Sequence, residues 1–356
     1  MEETMARLEH LGINNHDVND VNDVNDVNDV NAKDDRDYTA LHKACSNGQL
    51  ELVKLLIAKG ADLHAKGYDG STPLHHGCRN GHLEVVKVLL EKGAGGEDHT
   101  NDNTQNNTTT PLHTACDEGH LEIVKWLVEK QGTATVNSKN EMGETPLIMA
   151  SLEGHWDIVK FLLENGANAV NDTASYGMPP LYLACRGGNV EIAKLLLENG
   201  ANVNHKDKGG GFGGGTPLDF ACQQGHLAVA QLLVEKGAEI NTTDDCESTP
   251  LHAACSEGHL ELVMLLVTKG ADLHAKNDTG RTPLHQACEK AALHRRNYNE
   301  IKEDHLEMIK LLVDNGADVH AKDENGNEPA DLFKSDDGSD EDLGPQILQS
   351  LLKSLE

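Results

Sequence analysis

The chain has 356 residues, of which 59 are Asp or Glu and 30 are Lys or Arg, so its formal net charge is −29. This balance argues against a nucleic acid or anionic lipid partner, because both are bound by clustered Lys and Arg. No stretch comes close to the ~20 apolar residues of a membrane span, and the charged start is unlike a signal peptide. We therefore expect no membrane insertion and a location in the cytoplasm or the nucleus.

The N-terminal segment, residues 1–33, is predicted to differ from the rest of the chain. Leu8, Leu11 and Ile13 could form a short capping helix, and a tract of Asp-Val-Asn triplets follows from Asp17. A valine at every third position fits neither the helical period of about 3.6 nor the strand period of about 2, and Asn and Asp favour turns. We interpret the tract as disordered and of low complexity.

A ten-residue pattern then recurs through residues 34–333. It reads "PLHHGCRNGH" from Pro73, "PLHTACDEGH" from Pro111 and "PLHAACSEGH" from Pro250. The residues that precede the successive copies are Thr39, Thr72, Thr110, Thr145, Pro179, Thr216, Thr249, Thr282 and, in a degraded ninth copy, Glu328. Their spacings are 33, 38, 35, 34, 37, 33, 33 and 46 residues, which indicates one elongated array with a period of 33 and several insertions.

Each unit has the same predicted order of elements, which is clearest in residues 244–276. The first helix begins at Thr249-Pro250, because Pro is tolerated in a first turn, where its missing N–H costs no hydrogen bond. Gly258 ends this helix by allowing a positive φ, and an apolar second helix runs from Leu260 to Gly270. An extended finger with a turn then leads into the next Thr-Pro pair.

This unit resembles the ankyrin repeat, whose 33-residue period and Thr-Pro-Leu-His-x-Ala signature match residues 34–333. The resemblance implies an all-α repeat solenoid, a curved ankyrin stack of about eight full repeats plus a degenerate C-terminal one, with finger-like hairpin loops. It also implies a concave face of fingers and first helices that binds other proteins. The motif histidines would form hydrogen bonds within and between repeats; they are His42, His75, His113, His252 and His285.

Three insertions interrupt the period. The fingers before repeats 3 and 6 are lengthened by "GAGGEDHTNDNTQNNTT" and "KDKGGGFGGGTP", both of which we expect to be flexible. In repeat 8, "AALHRRNYNEIKED" from Ala291 replaces the turn between the two helices, which predicts an extended first helix. Residues 334–356 follow the array as an acidic loop and an amphipathic helix around Leu351, which we expect to cover the last repeat.

The recurrent His and Cys residues are interpreted as structural. A His and a Cys three residues apart could serve as a nucleophile or as half of a zinc site, but a catalytic centre is normally present once. Seven of the eight cysteines hold one helical position, and equivalent helices lie ~8–10 Å apart, too far for disulfides. We therefore expect reduced, buried thiols and no catalytic, cofactor or metal site. One alternative stays open, a zinc site formed by His75, His76, Cys78 and His82.

The variable positions of the repeat predict where a partner binds. They are polar in repeats 1 to 3 and become apolar in repeats 4 to 6, where aromatic and Met side chains suit a binding hot spot. The candidate residues are Met142, Met149, Leu152, Tyr176, Met178, Tyr182, Leu183, Phe212 and Phe220. Because Glu141, Glu144 and Glu153 flank them, the expected partner is a protein segment that is apolar with basic flanks; the alternative is that some of these residues belong to the core.

Two functions are compatible with these observations. The first is a monomeric, non-catalytic adaptor or scaffold that binds a partner segment on the concave ankyrin surface. The second is a regulatory or targeting subunit of an enzyme or channel carried on another chain. Direct enzymatic activity is not expected, because the repeats and caps leave no segment long enough for a catalytic domain.

Overall fold

The computed structural model describes residues 29–95, 109–174, 177–207, 213–298 and 300–333. These residues form sixteen α-helices and two short 3-10 helices, with no named β-strand among them, which confirms the predicted all-α repeat fold. The chain divides into two compact units, residues 1–169 and 170–356. The predicted N-terminal cap helix, most of the Asp-Val-Asn tract and residues 334–356 lie outside the described part of the chain.

Unit 1 contains four helix pairs, each with a short first helix and a longer second helix. They are α1 (Ala40–Ser46) and α2 (Leu50–Ala58), α3 (Pro73–Arg79) and α4 (Leu83–Glu91), α5 (Pro111–Asp117) and α6 (Leu121–Gln131), and α7 (Pro146–Glu153) and α8 (Trp156–Glu164). A 3-10 helix, η1 (Thr133–Asn137), precedes the finger of the fourth pair. Consecutive first helices pack against each other, for example α1 against α3 and α5 against α7.

Unit 2 also contains four helix pairs and ends in a single 3-10 turn. The pairs are α9 (Pro180–Arg186) and α10 (Val190–Glu198), α11 (Pro217–Gln224) and α12 (Leu227–Glu235), α13 (Pro250–Glu257) and α14 (Leu260–Thr268), and α15 (Pro283–Tyr298) and α16 (Glu303–Asp314). The degraded ninth copy forms η2 (Pro329–Phe333), which packs against α15.

The helix boundaries follow from the residues predicted to set them. Thr249 caps α13, since its hydroxyl accepts a hydrogen bond from the backbone N–H of His252, and Pro250 occupies the first helical position. At the other end, Gly258 has a φ of 82°, a left-handed conformation that glycine adopts without a steric penalty. The same Thr-Pro start and Gly end recur in several other first helices, as the sequence predicts.

The core of each unit is a row of equivalent small and branched residues. In the repeat that contains α13, Leu251 and Cys255 of the first helix and Val263 and Leu266 of the second are fully buried. All seven cysteines at the repeated position are buried and all eight in the chain are free, as expected. Among the described helices, none combines the length and the apolar character that a membrane crossing requires.

Asparagine side chains join the loops of neighbouring repeats. The Asn31 side-chain oxygen accepts from the backbone N–H of Asp62 at 2.7 Å, and its Nδ2 donates to the Gly60 carbonyl at 3.4 Å. Asn137, Asn171, Asn204 and Asn241 form the same pair of bonds with the repeat that follows each of them. Asn31, in the last triplet of the Asp-Val-Asn tract, therefore makes the same loop-to-loop contact as the asparagines of the later repeats.

The insertion in repeat 8 lengthens a helix, as predicted. α15 has 16 residues, whereas the other first helices have 7 or 8. Equivalent contacts measure the size of the insertion: Lys33 Nζ donates to the carbonyl of Lys66, 33 residues later, and Lys276 Nζ donates to the carbonyl of Lys322, 46 residues later. The finger after repeat 8 is thus in the normal place, and the 13 additional residues lie within and after α15.

Candidate binding surface

The motif histidines connect each finger to the next. The backbone N–H of Thr249 donates to His252 Nδ1 at 3.1 Å, so the ring proton lies on Nε2, which donates to the Arg281 carbonyl at 3.0 Å. Burial lowers the pKa of His252 and favours this neutral form. His42, His75, His113 and His285 make the corresponding two bonds, so the hydrogen bonds implied by the resemblance are present.

A second set of histidines packs on glycines of the preceding repeat. His120 caps α6, as the Gly-His-Leu pattern predicts, and its Nε2 donates to the Arg79 carbonyl at 3.1 Å. Its ring lies so close to Gly81 that a Cβ there would be 2.6 Å from the imidazole. His82, His155, His226 and His259 make equivalent contacts. This contact is not among those predicted from the sequence, although the paired recurrence of Gly and His one repeat apart is a signal for it.

The residues of the alternative zinc site are engaged in the fold. His75 Nε2 donates to the Thr109 carbonyl at 2.7 Å, and His82 Nε2 donates to the Ser46 carbonyl at 3.0 Å. His76 Nε2 lies 3.1 Å from the Ser71 hydroxyl. Within the described residues, no group of three or more His, Cys, Asp or Glu side chains is arranged to hold a metal ion.

Of the seven candidate binding residues that the structure describes, three are at least partly open to solvent, and these three belong to repeat 4. Met142 is 56% exposed and Leu152 is 40% exposed, while Met149 is half-buried. The Asn140 side chain holds the tip of this finger, because its oxygen accepts from the backbone N–H groups of Met142 and Glu144 at 3.0 and 2.9 Å. The structure thus presents Met142 on a fixed turn.

Four other candidates are buried, so the predicted exposure of Met178, Tyr182, Leu183 and Phe220 is wrong. Tyr182 takes the place of the motif histidine and is 0% exposed. Its ring centroid lies 4.2 Å from that of Phe220, which is one repeat further along the chain. Aromatic side chains at these positions bury more area by stacking on each other than by facing water.

The glycine-rich finger before repeat 6 explains the burial of Phe220. A Cβ on Gly215 would lie 2.8 Å from Phe220 Cε2, so only glycine lets the backbone rest against the ring. The finger is also tied to the next one, since the backbone N–H of Asp245 donates to the Gly213 carbonyl at 2.7 Å. Residues 213–215 are therefore packed, unlike the flexible loop expected there. Tyr176 and Phe212 lie outside the described residues.

Asp219 replaces the motif histidine in repeat 6. Its Oδ2 accepts from both the backbone N–H and the hydroxyl of Thr216, each at 2.7 Å, as Nδ1 does in the histidine repeats. Burial raises the pKa of Asp219 to about 6, although these two hydrogen bonds act in the opposite direction. A carboxylate at this position keeps the cap of its own helix at the cost of a buried charge.

Carboxylates lie close to one another in repeats 3 and 4, near the exposed apolar residues of repeat 4. Burial, followed by the charges of Glu153, Glu118 and Glu144, raises the pKa of Asp117. The ion pairs described in unit 1 use other carboxylates, namely Asp34, Asp37, Glu51, Glu84, Glu122 and Glu129. Because like charges that are close repel each other, this acidic group favours a positively charged neighbour.

A polar recess of about 230 Å³ opens beside this group. Arg79 of α3 and Thr114 of α5 line it together with the fingertip residues Asp69 and Glu141. Fingers and first helices of unit 1 thus both border this recess. We call Met142, Met149 and Leu152, together with the carboxylates Asp117, Glu118, Glu144 and Glu153, the repeat 4 face.

Comparison with known proteins assigns the class that the fold indicates. A family model described as ankyrin repeats, in three copies, matches residues 8–102, 94–174, 167–244 and 241–323. The chain therefore belongs to the ankyrin repeat family, whose members are generally protein–protein interaction modules. No curated protein matches the chain.

Proposed function

We propose that the protein is a non-catalytic adaptor or scaffold that binds a segment of another protein on the repeat 4 face. The observation that carries this proposal is the combination of exposed Met142 and Leu152 with the carboxylates near Asp117, whose charges raise its pKa. Exposed Met side chains adapt to varied apolar partners, and carboxylates at the rim favour cationic ones. The partner is thus an apolar segment with Lys or Arg at its flanks.

The location of this face suits the proposal. It lies on the side of fingers and first helices, which the family uses as its concave binding face. Among the described residues, the second helices carry two large exposed apolar side chains, those of Trp156, which lies under Lys160, and of Met264 in α14. We further propose that the protein acts as a monomer in the cytoplasm or nucleus, where its eight thiols stay reduced.

The test is an affinity purification with matched variants, followed by mass spectrometry. Met142→Ser combined with Leu152→Ser should remove the specific partner, and for the purified partner the affinity should fall by about thirtyfold, or about 2 kcal/mol. Met264→Ser is the matched control, because Met264 is 49% exposed on a second helix and lies outside the repeat 4 face. Melting curves of all variants check that the fold is intact.

The charge component is tested separately with the same partner. Glu144→Gln combined with Glu153→Gln should weaken binding and reduce its dependence on salt, because fewer charges are then screened. Equal binding by wild type and the Met142/Leu152 variant would exclude the repeat 4 face. Recovery of a stoichiometric enzyme or channel subunit would instead favour the alternative function, a regulatory or targeting subunit.

A further inference from the structure

The C-terminal half of α15 extends past the end of α13, which is the first helix of the preceding repeat. α13 ends at Glu257, whose Oε2 lies 3.5 Å from Lys290 Nζ, 33 residues later. Equivalent positions of these neighbouring first helices therefore face each other. α15 continues past Lys290 to Tyr298, where α13 has no counterpart. In this extension Leu293 is 46% exposed and Tyr298 is 68% exposed.

The extension is basic within a strongly acidic chain. Arg295 and Arg296 lie in its last turn, and they are the only two adjacent Lys or Arg residues in the sequence. The helix macrodipole favours cations at this end, which accounts for their position along α15. It does not account for the exposed apolar side chains beside them, which are typical of a surface that another segment covers.

The ninth repeat fixes where the chain goes next. His285 Nε2 donates to the Asn327 carbonyl at 3.1 Å, so the ninth finger docks on repeat 8 in the usual way. The backbone N–H of Glu328 donates to Asp331 Oδ2 at 2.8 Å, the bond that Thr216 makes with Asp219. Asp331 is thus equivalent to His285, 46 residues earlier. η2 runs beside the first part of α15, and Phe333 is equivalent to Ala287.

The residues that follow Phe333 in the sequence carry the charge opposite to that of Arg295 and Arg296. Asp336 and Asp337 come three and four residues after Phe333, and Asp340, Glu341 and Asp342 follow them. Residues 335–342, "SDDGSDED", contain five carboxylates and no cation. The helix rises only about 14 Å over the nine steps from Ala287 to Arg296, a distance that eight residues of extended chain can span.

We propose that the acidic segment 335–342 docks along the last two turns of α15, with its carboxylates against Arg295 and Arg296. The segment is tethered next to its site through η2, so its effective concentration there exceeds that of a separate chain. The two departures from the repeat pattern, the lengthened α15 and the acidic segment, then form one interface. Docking covers Leu293 and Tyr298.

Trypsin, which cleaves after Arg295 and Arg296, tests this docking. The variant carries Asp336→Asn, Asp337→Asn, Asp340→Asn, Glu341→Gln and Asp342→Asn in the full chain, which leaves every trypsin site unchanged. At about 0.05 M NaCl, cleavage at Arg295 and Arg296 should be about tenfold faster in the variant than in wild type, because cleavage follows the population of the open form. Cleavage after Arg281, in the finger before α15, serves as the internal reference.

A matched control removes five charges elsewhere. It changes exposed glutamates of the second helices to Gln, namely Glu91, Glu164, Glu198, Glu235 and Glu261. This control should cleave like wild type, and salt at about 0.5 M should accelerate cleavage of wild type but not of the docking variant. Equal cleavage of wild type and docking variant overturns the proposal. Protection that persists in the docking variant and grows with protein concentration also overturns it, since a second copy would then be the occupant.

Discussion

Repeat 4 in unit 1 and repeats 5 and 6 in unit 2 hold apolar residues at the same positions but expose them differently. Met149 in α7, Leu183 in α9 and Phe220 in α11 each follow the motif position. Met149 is half-buried, whereas Leu183 and Phe220 are buried. The position in the repeat decides which side of the helix a residue occupies. Whether water reaches the residue depends on the adjacent finger and on the residue at the motif position of the preceding repeat.

The largest expected difference between these regions is in stability. Phe220→Ala and Tyr182→Ala should each lower the free energy of unfolding by about 3–5 kcal/mol, because each leaves a cavity in the stacked pair. Met142→Ala and Leu152→Ala should change it by less than about 0.5 kcal/mol, since both residues are exposed. Urea unfolding followed by circular dichroism measures both. A cost for Met142→Ala that matches that of Phe220→Ala would remove the distinction between the two regions.

The buried carboxyl of Asp219 in repeat 6 should make the stability of unit 2 depend on pH. Its pKa of about 6 lies above the unfolded value, so its contribution to stability is full at low pH and is lost as the pH rises through about 4 to 6. Asp219→Asn cannot titrate, and its stability relative to wild type should increase by about 2 kcal/mol between pH 4.5 and 7.5. Melting temperatures of both proteins at the two pH values test this. Asp278→Asn, an exposed carboxyl in a finger of the same unit, is the control, and an equal response there would contradict the assignment.

The smallest effect concerns the glycine finger. Gly215→Ala places a Cβ against the Phe220 ring and should cost about 1 kcal/mol, because the ring must shift. The smaller side chain of Phe220→Leu should relieve this contact, so the two substitutions together should cost less than the sum of their separate effects. A double-mutant cycle measured by urea unfolding gives the coupling, and strict additivity would show that the finger does not rest on the ring.

Much of the fold could be predicted because residues within each repeat mark where its helices begin and end. Thr-Pro pairs mark the first helices, Gly marks their ends, and the loss of the Gly-His turn after Cys288 correctly predicts a longer α15. These signals act within a few residues, through caps and backbone conformation. The buried, free cysteines followed equally directly from their repeated position.

The binding surface could be predicted only in part, because exposure depends on contacts across repeats. Met142 and Leu152 are exposed as expected, whereas Tyr182 and Phe220 stack on each other. From the sequence alone, a run of glycines predicts a flexible loop. No residue next to positions 213–215 in the sequence indicates that the Phe220 ring lies against them. The same limit applies to the histidines on glycines, since that contact joins residues 34 to 39 positions apart.

The contact between a cap histidine and the preceding glycine also bears on how such an array grows. Each repeat of this kind presents a glycine to the neighbour that follows it and a histidine to the neighbour that precedes it, as repeat 3 does with Gly119 and His120. A tandem duplication of one repeat therefore copies both halves of the junction together. The new copy can make this contact with both flanking units without a compensating substitution, so this junction is no obstacle to lengthening the array by one period at a time.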